Sequence, residues 1–544
     1  MYLFENPVLQ RELLVNLRTR RAFLLLALYQ LLLAVVVLIA WPSEERLDLT
    51  GNPRSARKLV DLFFLGQYVI ASLMAPSFAA GAITGEKERK TYEMLLASPL
   101  RPGAIVLGKM VAALTHIGML IVASLPIIVL CLPLGGVSVY EVVAAYVGLI
   151  VSVILFGAIG IAASSYFKRT SASLAVSYLV VLALVLVGVL FWKSLESDAA
   201  LRLKLALLVI PAYGLTAVIL LCSNAAARML YPPDVGSEGK EVVDLEREAE
   251  QAVGLVIQRD QFPDRLFAPP KKQQLMADGA NPVYDKEIHS EIFSQGTLML
   301  RLVIQISMLL AIPLMAWLLF AQPYRCAWYA VYVIVFNMLI GPVFLAGSMT
   351  GERERETLDL LLTTTITPGQ ILWGKLIVGF RVSAVLTSFL LWPLLLGGLM
   401  VSDFWSNWLS LLLMFAIVGM TCVTNAIVAM FCSAFARKTS ISLMSTYAVL
   451  LFLYAAPMAL VLLLSILDFD AATIAKAEWF GIASPFNAAF SLPLDEQLAA
   501  EKTVPANVGN WMLVIGYFVV SAILNGLLML GVTWRLSARQ RFAD

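Results

Sequence analysis

Twelve stretches of mainly apolar residues, most of about twenty or more, dominate this chain: 22–41, 62–83, 104–132, 142–167, 171–192 and 205–227 in its first half, then 302–320, 326–349, 370–400, 405–435, 440–467 and 510–534. About 20 apolar residues carry a helix across a bilayer core. A helix also satisfies its own backbone there, which an irregular segment in lipid does not. The chain is therefore predicted to be an all-α integral membrane protein with twelve transmembrane helices. Composition agrees: 60% of the 544 residues are hydrophobic, 14% are charged, and mean hydropathy is +0.84. Soluble domains are about 45–50% apolar and about 25% charged. A soluble enzyme and a disordered chain are excluded on that ground, and a net charge of +2 excludes a nucleic-acid partner, which needs a basic face. The basic stretch before residue 22 imitates a signal peptide, but its apolar run is too long for a signal core and reads as the first span. The five cysteines form no C-x-x-C pair and read as small core residues.

Orientation follows from where Lys and Arg fall, since cytosolic flanks carry the excess. With both termini inside, 29 of the 39 basic residues lie on the cytosolic side, as do 23 of the 37 acids. The near-neutral total is thus +6 inside offset by −4 outside. This places the N- and C-termini in the cytosol.

The sequence is also duplicated. Asn6-Pro7-Val8 with Arg11-Glu12 recurs as Asn281-Pro282-Val283 with Lys286-Glu287, and Thr84-Gly85-Glu86 through Gly108-Lys109 recurs without a gap as Thr350-Gly351-Glu352 through Gly374-Lys375. Gly135-Gly136 answers to Gly397-Gly398, and Thr170-Ser171-Ala172-Ser173-Leu174 to Thr439-Ser440-Ile441-Ser442-Leu443. Six spans per repeat make the two copies parallel, with any pathway between them. The expected organisation is a first transmembrane repeat (1–230), a charged cytosolic linker (231–280) and a second transmembrane repeat (281–544). Within the linker Leu245, Ala249, Ala252, Val253 and Val256 share a helical face, which suits either a docking helix or a solvated one.

The loop after the second span of each repeat carries the strongest motif. Gly85-Glu86-Lys87-Glu88-Arg89-Lys90-Thr91-Tyr92-Glu93-Met94-Leu95-Leu96 is matched by Gly351-Glu352-Arg353-Glu354-Arg355-Glu356-Thr357-Leu358-Asp359-Leu360-Leu361-Leu362, and each runs on to Pro-Gly. Glu86 and Lys90 have the i,i+4 spacing of a short helix. One such loop would read as a solvated connector, whereas two copies kept in register predict a shape held to fit a partner. Gly103-x4-Gly108-Lys109 and Gly369-x4-Gly374-Lys375 imitate a phosphate loop, but both lack the Ser/Thr and the preceding strand. Lys109 and Lys375 are expected to snorkel to the interface. Two histidines supply neither a zinc motif nor a catalytic triad, and the spans hold almost no acids. His116 and Arg381 lie at nearly the same depth in the paired third spans. Either they face a cavity, or Arg381 snorkels while His116 bonds a neighbouring helix. Gln67, Gln305, Asn337 and Asn425 read as interhelical glue.

These loops, with the basic amphipathic segments Asn6–Arg21 and Asn281–Arg301, resemble the membrane permease subunits of ABC-2 type ABC transporters. In that family a G-E-(K/R)-E-(R/K)-x-T-x-(E/D)-x-L-L…P sequence follows the second span, and Ser484-Pro485-Phe486 before the last span is similar to it too. The resemblance implies a tandem fusion of two six-span permeases in the plasma (inner) membrane. Glu86–Leu96 and Glu352–Leu362 become coupling helices. Glu86, Glu88, Thr91, Glu93, Leu95, Leu96, Glu352, Glu354, Thr357, Asp359, Leu361 and Leu362 are then the residues that dock two separate ABC ATPase subunits. ATP and Mg belong to those partners; this chain is implied to hold no cofactor and to be no enzyme itself, and the direction implied is export. A second reading is an ATPase-coupled assembly or anchoring protein acting on another protein. The long outer loop 468–509, against the short 193–204, offers Trp479, Phe480 and Phe486 to an extracytoplasmic partner.

Overall fold

The computed structural model describes residues 53–131, 138–167, 169–194, 201, 204–230, 281–288, 297–321, 326–400, 408–466, 471–492 and 510–540, with Pro7, 9–11 and Gln30. Among them helix is the only regular structure, and 11 helices are long and apolar enough to cross a membrane. These are Phe63–Glu88, Pro102–Val129, Val139–Tyr166, Thr170–Gly188 and Leu207–Met229, then Leu302–Leu319, Cys326–Ala346, Pro368–Met400, Trp408–Phe435, Thr439–Val461 and Trp511–Ser537. They are numbered here spans 2 to 12, because each coincides with one of the apolar stretches above. The protein is an all-α, multi-pass membrane protein. The first stretch (22–41), most of the segment Asn6–Arg21 and the linker 231–280 lie outside the described residues.

The Pro-Gly pairs open spans 3 and 9 with proline in the first turn (Pro102, Pro368), where its missing N–H costs nothing. Span 4 starts on a capping box: the Ser138 hydroxyl accepts from the Glu141 N–H, and the Glu141 carboxylate accepts from the Ser138 N–H. Pro76 and Pro342 sit 266 residues apart inside spans 2 and 8, so the repeat extends into the helices. Span 11 contains a π-helical turn, Leu451–Ala455, and the buried Ser484 hydroxyl donates to the Tyr454 carbonyl there at 2.8 Å. That bond gives Ser484-Pro485-Phe486 a structural purpose, with Phe486 buried edge-on against Tyr454.

The chain forms two compact units. One comprises Met1–Ala227, Tyr447–Leu492 and Val508–Val520; the other comprises Arg228–Thr446, Pro493–Asn507 and Ser521–Asp544. In the first unit, spans 2, 3 and 4 share an apolar core that includes Phe63, Ala71, Ile117, Ile121, Tyr146 and Phe156. Span 2 lies directly on span 4 at Gly160, whose absent side chain admits Ala79 and Ala80. Small residues give membrane helices this close approach.

The second unit is built differently at the corresponding positions of the repeat. The Asn337 amide donates to Ser383 Oγ (3.0 Å) and Thr387 Oγ1 (2.8 Å), and its carbonyl accepts from Asn425 Nδ2 at 2.8 Å. Spans 8, 9 and 10 are therefore pinned together by a buried polar cluster, which bears out the glue reading for Asn337 and Asn425. At the repeat offsets the first unit has Ala71, Ile117, Ile121 and Phe156, all in its apolar core. Gln67 sits on the same helical face as Phe63 and Ala71, buried, with neither amide atom hydrogen-bonded. Gln305 is exposed. Leu208, Ile219 and Leu220 in the first unit and Leu527 and Leu530 in the second are also exposed, which suits lipid and would be a liability in water.

A Cβ at Gly160 would stand 2.8 Å from the Ala79 Cβ and 3.1 Å from the Ala80 nitrogen. Gly160→Val is expected to cost about 1–3 kcal/mol by overpacking and to lower the thermal unfolding midpoint in nanodiscs. Gly148→Ala, in open space, should leave the midpoint unchanged or raise it.

Candidate functional site

A helix end leaves four backbone groups without intrahelical partners, which side chains or water must satisfy. The loop after span 2 does this for three helices at once. Its own helix closes with a Schellman turn: the Thr91 N–H donates to the Glu86 carbonyl (3.0 Å), the Lys90 N–H to the Lys87 carbonyl (3.2 Å), and Lys90 has φ 57°. The second copy repeats it, with Thr357 N–H to Glu352 O (2.9 Å), Glu356 N–H to Arg353 O (3.2 Å) and Glu356 at φ 59°. Glycine usually fills that left-handed position. A lysine and a glutamate hold it here against a cost of roughly 1–2 kcal/mol, because the surrounding bonds leave the chain no other course.

Those bonds reach the neighbouring spans. Lys87 Nζ donates to the carbonyls of Ser164, Ser165 and Phe167 at the end of span 4 (2.8–3.1 Å). Arg353 does the same for Ala434 (3.0 Å) and Ala436 at the end of span 10. Cations at helix C-termini also suit the helix dipole. Glu88 Oε1 accepts from the Thr170 N–H at 2.8 Å, and Glu354 Oε1 from the Thr439 N–H at 3.1 Å, so each carboxylate caps the start of span 5 or 11. Ser164 Oγ accepts from the N–H groups of Ile83 and Thr84, and Ser433 Oγ from those of Met349 and Thr350. Thr84 meets Thr170 at 3.0 Å, and Thr350 meets Thr439 at 3.1 Å. The threonine that opens the repeated Thr-Ser-x-Ser-Leu sequence is thereby explained.

The first acid of each loop faces a buried lysine. Glu86 pairs with Lys109 at 3.0 Å and accepts from the Thr91 hydroxyl. Glu352 pairs with Lys375 (3.2 Å) and Lys286 (3.0 Å) and accepts from Thr357, while Lys375 also pairs with Glu287. Lys286 and Glu287 come from the short helix Pro282–Ile288, which lies against Gly374 of span 9. Burial opposes the Glu352 charge, but Lys375, the Thr357 hydroxyl and Lys286 outweigh it and hold its pKa at about 2. The snorkelling expectation is thus corrected. Lys109 and Lys375 are 5% and 4% exposed and turn inward, because a carboxylate waits there. No phosphate loop exists at either glycine pair: Gly103–Lys109 and Gly369–Lys375 lie within continuous helices.

Beyond each Schellman turn comes a short helix, Tyr92–Leu96 or Leu358–Leu362. The coupling segments are therefore broken after Glu88 and Glu354, and Glu86 and Lys90 do not share a helical turn. Tyr92, Leu358 and Leu362 are buried and fix each short helix to its bundle. Met94 and Leu360, 77% and 69% exposed, point outward beside exposed Glu93 and Asp359.

Of the expected docking residues, Glu86, Glu88, Thr91, Glu352, Glu354 and Thr357 thus hold the loop, and Leu362 is core. Leu95, Leu96 and Leu361 are half-buried, leaving Glu93 and Asp359 outermost. Met94 and Leu360 are the exposed apolar side chains of the two short helices, and the helical register after Thr91 and Thr357 places them opposite the buried positions. His116 and Arg381 belong to different units; His116 packs edge-on against Phe78 (5.7 Å), and both are half-buried. In the outer loop Trp479 and Phe480 are exposed and Phe486 is buried, while 468–470 and 493–509 lie outside the described residues.

A family model described as ABC-2 family transporter protein matches residues 7–233 and again 215–529. No curated protein and no solved structure matches the chain.

The low pKa of Glu352 gives a pH signature. A carboxyl whose folded pKa is about 2, against an ordinary 4.5, stabilises the fold fully above pH 4.5. That contribution, at most about 3 kcal/mol, is lost as pH falls from 4.5 towards 2. Glu352→Gln should therefore lower the thermal midpoint at pH 7 and flatten its decline across that acid window.

Proposed function

Because the chain belongs to the ABC-2 family of transporter proteins, we propose that it is the complete membrane part of an ATP-driven exporter. Residues 1–230 and 281–544 are its two permease repeats, joined by the linker 231–280. Two separate cytosolic ATPase subunits bind ATP and Mg, and both termini of this chain lie with them on the cytosolic side of the plasma (inner) membrane. The observation that carries this reading is the duplicated latch. In each copy one loop is bonded to the ends of spans 4 and 5, or 10 and 11, and presents a short helix with one large apolar side chain outward.

A latch of this kind suits force transmission. An ATPase pushing on Met94 or Leu360 would move no free loop, since the short helix is tied through Glu88 and Lys87, or Glu354 and Arg353, to two further spans. Closure and reopening of the ATPase pair would then rock each bundle as a body and alternately expose a central path. The inward acids serve the rigidity of the latch, while Met94 with Glu93, and Leu360 with Asp359, make the contact.

A second reading rests on the exposed Trp479 and Phe480 of the helix Ala471–Phe480: the ATPases drive assembly or anchoring of another protein beyond the membrane. In reconstituted vesicles, ATPase activity stimulated by a small solute favours transport. Stimulation only by an extracytoplasmic protein favours the second reading.

Met94→Asp with Leu360→Asp is expected to reduce copurification of ATPase by at least about tenfold, the scale of an apolar hot spot, with the thermal midpoint unchanged. Glu88→Lys, which uncaps span 5, should lower that midpoint instead. Undiminished ATPase in the Met94/Leu360 variant would sink the docking assignment.

A further inference from the structure

Each repeat carries a tyrosine eight residues into the span that its latch caps. Tyr178 follows Thr170 in span 5 and Tyr447 follows Thr439 in span 11, at the 269-residue offset of the Thr-Ser-x-Ser-Leu sequence. Both side chains are buried, and both fall within the first compact unit. Their rings meet edge to face, with centroids 5.2 Å apart. Residues related by a twofold axis touch each other only where both lie beside that axis. The pseudo-twofold relating the two repeats therefore passes between these rings, about 2.6 Å (half of 5.2 Å) from each centroid. That axis is also where the path of the proposed transporter runs. At about 12 Å from the capped end of each span, two aromatic rings fill it.

Tyr178 is not held by span 5 alone. Its hydroxyl donates to the Leu73 carbonyl at 2.7 Å and lies 2.7 Å from Ser77 Oγ, so the ring is fastened to span 2 as well. Span 2 runs on as one helix to Glu88, and Glu88 caps span 5 at Thr170. Tyr178, the latch and the capped ends of spans 2 and 5 thus form a closed circuit of bonded contacts. Between the two tyrosines there is only a ring contact and a contact of their hydroxyls, and a single edge-to-face pair is weak. Rocking of the bundles parts that contact before it breaks the circuit. We infer that Tyr178 and Tyr447 are the gate of the transport path: the ring pair shuts it at the axis, and the first latch, acting through spans 2 and 5, draws Tyr178 away as the ATPases move. This rests on the transport reading above and adds to it the residues that close the path.

The test uses the intact complex with its ATPases, in nanodiscs. Cys131, Cys222, Cys326, Cys422 and Cys432 are first replaced by alanine, and Tyr178→Cys with Tyr447→Cys is then introduced. A short bis-methanethiosulfonate bridges the two thiols, and intact mass gives the bridged fraction. The bridging rate should differ at least about tenfold between complex without nucleotide and complex held with ATP, Mg²⁺ and orthovanadate, because a linker too short for the gap joins nothing. The bridged protein should hydrolyse ATP at least about tenfold more slowly, until dithiothreitol removes the linker. Thr84→Cys with Thr170→Cys, inside the latch where the hydroxyls lie 3.0 Å apart, should bridge equally in both conditions. A site-directed 3-fluorotyrosine at position 447 keeps both rings and serves even where the cysteine variant does not assemble. Its fluorine resonance should shift between the two conditions. Equal bridging of the Tyr178/Tyr447 pair overturns the gate and makes the pair fixed packing, as does an unmoved fluorine resonance or unimpaired hydrolysis in the bridged protein. Unequal bridging at Thr84/Thr170 overturns the rigid latch instead. ATPase absent from the purified complex overturns the docking reading itself, and the gate with it.

Discussion

Helix termini near a bilayer surface set the strictest demand on this chain. Each span ends with backbone groups that lipid cannot bond and that water reaches only in part. The loops after spans 2 and 8 meet that demand for their neighbours: a cation covers the carbonyls ending one helix, and the carboxylate of the very next residue caps the amide starting another. The last two residues of the -Glu-(Lys/Arg)-Glu- run are thus caps directed at different helices, while the first Glu pairs with a buried lysine. The alternating charge of the caps follows from the fact that helix ends alternate in polarity where antiparallel spans meet a common surface. Once those caps are made, the loop has little freedom left, and a left-handed lysine or glutamate is the residual strain.

The buried lysines extend the same logic. An isolated ammonium in the position of Lys375 would be costly, and it is tolerated because Glu352 and Glu287 approach it from two elements. That arrangement joins the loop, span 9 and the helix Pro282–Ile288 through one charge. It explains why Gly374 stands where the short helix comes closest, the Tyr284 nitrogen lying 3.0 Å from where a Cβ would be. A sequence that resembles a nucleotide-binding glycine motif is here the contact between two helices.

Much of the fold was legible because length and hydropathy fix it. Eleven spans fall where apolar runs of sufficient length lie, and the duplication identified which loops correspond. The site was legible only as far as its location. A charged run between apolar segments reads as solvated, since nothing in a one-dimensional pattern says that Glu88 meets Thr170 some eighty residues away. The direction of Lys109 and Lys375 was misjudged for the same reason. Snorkelling is the default for a lysine near a helix end, and it gives way only when a carboxylate is placed inside. Met94 and Leu360 were recoverable in principle, but five-residue helices carry too short a period for a pattern argument to separate inner from outer leucines.

Comparison of the two repeats separates what the architecture requires from what it permits. Their latches agree position by position in the charge of the groups that cap helices, Lys87 with Arg353 and Glu88 with Glu354, even to the unfavourable backbone at Lys90 and Glu356. Their interiors do not agree: Asn337, Ser383, Thr387 and Asn425 form a hydrogen-bonded cluster where the first repeat has Ala71, Ile117, Ile121 and Phe156. Either solution packs three helices, because membrane interfaces gain from close contact and from modest interhelical bonds alike. The caps have no such alternative. The carbonyls ending span 4 need donors, and Lys87 of the loop after span 2 supplies them. Close agreement in the latch, beside interiors that have diverged at these positions, is what a chain duplicated under that constraint would retain.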